Sequence, residues 1–164
     1  MDRDKVDLLV EQWKKEIPKL NVKPMAILGR TRTICKITER RSCINFSKFN
    51  INIGEFDVLS ALRRSGGEFK LKPTELYNFL MITSGAMTNR IDTLEKKGLV
   101  TRVNDPEDRR TVYVKLTEEG LKLINESIFH YVNMQEKILE VLTEEEQDTL
   151  NVILRKLALS MEEK

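Results

Sequence analysis

The sequence has little of several residue types that define common protein classes: 2 Cys, 1 His, 7 Gly, 4 Pro and 6% aromatic residues in a chain of 164. Two cysteines, Cys35 and Cys43, make no disulfide framework and suit a reducing compartment, so a cytoplasmic protein is expected. Together with His130, the one histidine, they supply no convincing zinc or iron ligand set. Ser/His/Asp constellations, a phosphate-cradling Gly-rich loop and a second histidine are all missing, so no enzyme, cofactor or metal is expected. Nothing approaches the run of about 18 apolar residues that a membrane span needs, and the mixed charges of Asp2-Arg3-Asp4-Lys5 do not resemble a secretion leader. With 40% hydrophobic and 33% charged residues the chain is neither disordered nor collagen-like, and the scarcity of Gly and Pro leans it towards helix.

The charge that is present is unevenly spread. Residues 1–62 carry 12 Lys/Arg against 8 Asp/Glu, residues 63–115 carry 11 against 7, and residues 116–164 carry 5 against 11. A formal net charge of +2 therefore conceals a basic front and an acidic tail, which fits a surface for a polyanion.

Helical spacing begins with Val6, Leu9, Val10, Trp13 and Ile17, where Asp2 and Asp4 can cap and Pro18 terminates. A second helix is predicted from Pro24 to about Phe46, closing near Asn50. Asn52 with Glu55 makes a capping box for a helix that buries Phe56, Leu59 and Leu62 and ends at Gly66-Gly67. Two short helices follow, one opened by Pro73 and running to about Leu80, the other capped by Thr83-Ser84 and running to Lys97 before Gly98. Then β-branched residues take over: 99–103 and 111–116 read as a two-stranded hairpin around the turn Asn104-Asp105-Pro106-Glu107-Asp108. The rest is a long helical stripe from Leu121 to Leu142 and a last helix, capped by Thr143 and Glu146, carrying Leu150, Ile153, Leu154, Leu157 and Met161. The fold class is mainly α with a small β-hairpin wing: a winged helix-turn-helix lobe plus a helical region.

A helix pair followed by a hairpin is an arrangement that lays its second helix in the major groove of DNA. On the wheel of residues 83–97, Met87, Ile91 and Leu94 share the docking face, and Gly85, Asn89, Asp92, Thr93 and Lys96 lie opposite, flanked by Ala86 and Thr88. Asn89 suits bidentate pairing with adenine, Thr88 a base edge or phosphate, and Ala86 a thymine methyl. Ser84 stands at the helix entry. Arg90 points nearer the core side and suits a phosphate. Lys72 and Thr74, at the entry of the preceding helix, complete the DNA-contacting set. On the hairpin, Arg109 and Arg110 suit a minor groove, while Asp108 would orient one of them through a carboxylate bridge.

The run from Pro73-Thr74-Glu75-Leu76 through Leu80-Met81-Ile82-Thr83-Ser84-Gly85-Ala86-Met87-Thr88-Asn89-Arg90-Ile91-Asp92 to Leu94-Glu95-Lys96-Lys97-Gly98-Leu99-Val100 resembles the MarR family of transcription regulators. So does Asp105-Pro106-Glu107-Asp108-Arg109-Arg110 with Leu116-Thr117-Glu118-Glu119-Gly120. The resemblance implies a single domain over 1–164, in which 1–50 and 118–164 form a helical dimerisation region and 51–117 the DNA-binding lobe. It further implies a homodimer on a pseudo-palindromic double-stranded operator, commonly a repressor released by a small, often phenolic, effector. Lys72 departs from the Ser frequent in that family before Pro73, Asn50 from Gly, and the helix around Trp13 is an extension. Two alternatives stay open: a winged-helix protein-interaction module, and a thiol-based redox-sensing regulator. Cys35 and Cys43 are eight residues apart, about 12 Å along a helix, too far to bridge within it. They are read as buried or idle thiols, and Phe46, Phe49, Phe56, Phe69, Phe79 and Tyr131 as core.

Overall fold

In the computed structural model, which describes residues 3–108 and 110–162, the chain is mostly helical with one small sheet. It divides into two compact units, Met1–Ile44 and Asn45–Lys164.

The first unit holds α1 (Lys5–Glu16) and most of α2 (Lys23–Ser47). Asp4 starts α1 because its carboxylate accepts from the Val6 and Asp7 amides, each at 2.8 Å, while Asp7 accepts from the Asp4 amide at 3.0 Å. These amide bonds, with Arg30 beside them, hold the Asp4 carboxyl below the usual carboxylate range. Arg30 of α2 reaches Asp4 at 2.8 Å and Asp7 at 2.5 Å. Val6 packs on Gly29, where a Cβ would stand 3.2 Å from a Val6 methyl, so the two helices meet through a residue without a side chain. Asp2 lies outside the described residues. Cys35 and Cys43 are free and exposed rather than buried.

The second unit holds α3 (Ile53–Arg64), β1 (Lys70–Leu71), α4 (Pro73–Leu80), α5 (Ser84–Lys96), β2 (Val100–Asn104), β3 (Val112–Leu116), α6 (Glu118–Leu139) and α7 (Glu144–Glu162). Asn50 takes the left-handed conformation, φ 55°, and two residues on the expected capping box closes: the Glu55 amide donates to Asn52 Oδ1 and the Asn52 amide to Glu55 Oε2, both at 2.9 Å. Inward residues of α3, α4, α5 and the sheet, among them Phe56, Leu59, Leu62, Leu76, Met87, Ile91, Leu94, Val100 and Val114, form one core that Ile124 of α6 completes. Phe46 and Phe56 stack at 4.1 Å, with Tyr131 5.2 Å and 5.1 Å from them.

Two expectations are corrected. The sheet has three antiparallel strands in the order β1-β3-β2, because Lys70 and Leu71 pair with Lys115 and Val114 on the side of β3 that the hairpin leaves open. Phe79 is 67% exposed instead of core: α4 is one short helix whose fully buried position is Leu76, and Phe79 stands at the rim of a cleft of about 330 Å³ with Ala61, Arg64, Ser65 and Leu71.

α6 starts where Thr117 ties it to the lobe. Its hydroxyl donates to the Gly98 carbonyl at 2.7 Å and accepts from the Gly120 amide at 3.0 Å, while its amide donates to the Leu99 carbonyl at 3.2 Å. Gly120 passes so close to Leu99 that a Cβ would overlap the carbonyl oxygen and lie 2.9 Å from its carbon. The Thr143–Glu146 box opens α7, with the Thr143 amide donating to Glu146 at 2.9 Å. None of α7's 19 residues is buried. Among the described residues no helix is long and apolar enough to cross a membrane.

Candidate nucleic-acid interface

The two short helices are joined through Met81, Ile82 and Thr83, and Met81 turns the chain with a left-handed φ of 51°. Thr83 then caps α5, its hydroxyl accepting from the Ala86 amide at 3.3 Å. The inner face of α5 is sealed by Met87, Ile91 and Leu94, each 1% exposed or less. That sealing turns Ser84, Gly85, Ala86, Thr88 and Asn89 outward, all of them exposed. The Thr88 hydroxyl donates to the Ser84 carbonyl at 3.0 Å, leaving its oxygen as an acceptor. The Asn89 carbonyl accepts from Thr93 Oγ1 at 2.9 Å, while its side-chain amide has no partner among the described residues and faces outward. The first turn holds no acidic residue, and the positive end of the helix dipole is left open to an anion.

Arg90 is folded inward. Its guanidinium lies over the first turn of α3, where a Cβ on Gly54 would come within 2.6 Å of Cζ. Nearby on α3 is the half-buried Asp57, whose carboxyl is pushed above the usual range by burial, against the pull of Arg90 and Arg64.

Lys72 and Thr74 are exposed at the start of α4. The Lys72 amide donates to Glu75 at 2.7 Å, so Glu75 takes over the capping that a serine would share. Tyr113 of β3 extends this edge beyond the residues that the sequence singled out, with Lys70 Nζ 5.1 Å and Lys72 Nζ 5.7 Å from its ring. Period-2 alternation explains it: Val112, Val114 and Leu116 face the lobe, which turns Tyr113 and Lys115 out.

The wing turn is organised by carboxylates. Asp105 accepts from the Glu107 and Asp108 amides at 2.8 Å and 3.1 Å, and Asp108 from the Arg110 amide and the Thr111 hydroxyl, both at 3.0 Å. Those bonds hold both carboxyls below their usual range. Asp108 thus shapes the turn backbone first and reaches the Arg110 Nε only at 3.5 Å, leaving that side chain 95% exposed. Arg109 lies outside the described residues.

Two ion-pair groups on α5 were not visible as such in the sequence. Glu55, 2% exposed, accepts from Lys97 Nζ with both oxygens at 2.8 Å, and Lys97 also donates to the Asn50 carbonyl at 2.8 Å. Arg102 of β2 pairs with Asp92 at 2.5 Å and with Glu95, and its guanidinium is held above its usual range mainly by the bond to Asp92. These two groups fix α5 against α3 at one end and against the hairpin along its side.

The arrangement is a small-residue, acid-free helix start, flanked by lysines and by an arginine-bearing wing. Comparison with known proteins places the chain in a family. The MarR family model matches residues 51–112, and the HTH-type transcriptional regulator PecS of Dickeya dadantii is 36% identical over 146 residues, 89% of this chain and 88% of its own. The chain belongs to the MarR family. It is a MarR-family transcriptional regulator, of a kind that binds DNA and is not an enzyme. The multiple antibiotic resistance protein MarR of Salmonella typhimurium is 32% identical over 134 residues, covering 79% of this chain and 90% of its own. The crystal structure of a mutant MarR from Escherichia coli complexed with operator DNA superposes with a TM-score of 0.70 at 28% identity, covering 88% of this chain and 96% of that one.

Proposed function

We propose that the protein acts as a homodimer that reads a pseudo-palindromic operator, with Ser84, Ala86, Thr88 and Asn89 of α5 at base edges, Lys72 and Thr74 on phosphates, and Arg109 and Arg110 of the wing in the flanking minor groove. The observation that carries this reading is the outward half of α5: it is exposed, small and free of acid, and it presents an unengaged Asn89 amide. A protein-docking helix would expose large apolar side chains there, and the first half of α5 exposes none.

Dimerisation is supported by apolar surface left open on three helices. Leu8, Leu9, Trp13 and Ile17 are exposed at α1, Phe129, Val132 and Leu139 on α6, and Leu150, Ile153, Leu154, Leu157 and Met161 on α7. An amphipathic helix of 19 residues with no buried position calls for a second chain. Repression, with release by a small phenolic anion, is the regulatory mode that family membership favours. Arg90 enters this reading as a reserve cation: stowed on Gly54 in the free lobe, its long side chain can swing out to a phosphate.

Selection of bound duplexes from random DNA, combined with sedimentation of the protein, tests the reading. An inverted repeat with half-site centres about one helical turn apart, bound by two chains, is the expected result. A monomer at micromolar concentration, or an asymmetric single site, would refute it. Titrating salicylate into the complex then asks whether a phenolic anion releases the DNA.

A further inference from the structure

The side of α5 that faces the wing carries two carboxylates, Asp92 and Glu95. Both are engaged by one residue. An Arg102 Nη2 proton goes to Asp92 Oδ1 at 2.5 Å, Nη1 pairs with Glu95 Oε2, and the Arg102 backbone amide donates to Glu95 Oε1 at 3.1 Å. β2 is an edge strand of the sheet, so Glu95 also satisfies an amide that would otherwise face solvent. We propose that Arg102 is a positioning residue that clamps the wing to the recognition helix through Asp92 and Glu95, and that it is not itself a phosphate contact. This rests on the reading above that α5 and the wing engage DNA together.

The physical case has three parts. A two-stranded ribbon is marginal by itself, and this one continues past Arg102 to a tip at Asp108 and Arg110 with support from β1 at only two residues. Three bonds from one residue to two side chains a helical turn apart fix both the distance and the angle between ribbon and helix, because the guanidinium fork is planar. The helix and the wing then approach their two grooves as one rigid body. The second contact adds most when the first has already aligned it, and that advantage disappears if the connection between them is slack. In addition, Arg102 neutralises carboxylates that would repel phosphate if left alone.

A double-mutant cycle on the full-length protein tests the clamp, using fluorescence anisotropy on its selected duplex at several salt concentrations. The variants are Arg110→Ala, Arg102→Gln and the pair. The clamp predicts that Arg110→Ala weakens binding clearly in the wild-type background and much less in the Arg102→Gln background, an interaction of about threefold or more. A general loss of stability lowers the active fraction equally in both arms and leaves that ratio unchanged. Arg102→Lys, whose single ammonium cannot span both carboxylates, should recover only part of the interaction.

Glu95→Gln separates the alternatives again and covers the case in which circular dichroism finds Arg102→Gln unfolded. If Arg102 is a clamp, Glu95→Gln diminishes the effect of Arg110→Ala. If Arg102 is a phosphate contact, Glu95→Gln releases it and tightens binding, while Arg102→Gln lowers the salt slope by about 1.8, about 0.9 for each of the two chains, and leaves the Arg110→Ala effect intact. That second pattern overturns the proposal. Arg110→Ala without effect in the wild type would instead refute the role given to the wing, which is a different failure from an undiminished Arg110→Ala effect in the Arg102→Gln background.

Discussion

Replacing Lys97 by methionine should destabilise the protein by about 2–3 kcal/mol, a figure that follows from what Glu55 loses. The Glu55 carboxylate is 2% exposed, and the Asn52 amide and the Lys97 ammonium are its hydrogen-bond donors among the described residues. Methionine keeps most of the stem volume but leaves the carboxylate with one neutral donor, and breaking a fully buried pair in this way costs about 3–5 kcal/mol. Here the lysine side chain is 28% exposed, so water reaches the vacated site and the lower figure applies. Urea melts at one fixed protomer concentration measure it; with a slope of about 2 kcal/mol per molar the midpoint should fall by about 1–1.5 M. The double substitution Glu55→Gln with Lys97→Met removes the stranded charge, so it should be more stable than Lys97→Met alone. If Lys97→Met stays within about 0.5 kcal/mol of wild type, or if the two substitutions simply add, the ion pair does not hold the end of α5 to α3.

The same reasoning gives three further expectations. Asn89→Ala should leave the melting temperature unchanged, since the side chain has no partner among the described residues, but weaken binding to the selected duplex by about 1–3 kcal/mol per half-site and flatten preference at one base position; equal losses on matched and scrambled duplexes would contradict this. Gly120→Ala drives a Cβ into the Leu99 carbonyl and should cost at least about 2 kcal/mol in calorimetry, a wild-type melting curve being the contrary result. The Asp57 carboxyl is raised above its unfolded value by burial, so its ionised form destabilises the fold at pH above the folded value, and the penalty is relieved as pH falls through it. Asp57→Asn should therefore raise stability at neutral pH, with a gain that shrinks on acidification; a gain independent of pH would show that ionisation is not the cause.

What the sequence made legible is local. Asn52 and Glu55, Thr83, and Thr143 and Glu146 announce their helices because a cap bonds within three residues of itself, so spacing alone identifies it. The alternation in 112–116 likewise marks a strand with one buried face. What was hidden depends on contacts across the chain. Lys70 and Leu71 are too few to carry a period and become a strand only because β3 offers an unpaired side, 43 positions further on at Val114. Asp92 lies on the outer face of the helical wheel and reads as solvated, since a wheel does not contain the arginine that the wing folds onto it. Lys97 reads as the last basic residue of a helix, where helix-dipole chemistry already accounts for a lysine, so nothing pointed to Glu55.

The joint at Thr117, continued by Ile124 and Tyr131 on the core, makes α6 one body with the lobe that carries α5 and the wing. The helix is 22 residues long, about 33 Å at 1.5 Å per residue, and its base shares bonds with Gly98 and Leu99, the two residues through which α5 passes into β2. Because Ile124 and Tyr131 also pack on the lobe, the helix and the lobe turn together, and a displacement of about 3 Å at the Leu139 end corresponds to a turn of about 5° that α5 and the wing share. If α5 and the wing read DNA as proposed, a movement at the far end of α6 reaches them without a chain of relayed contacts.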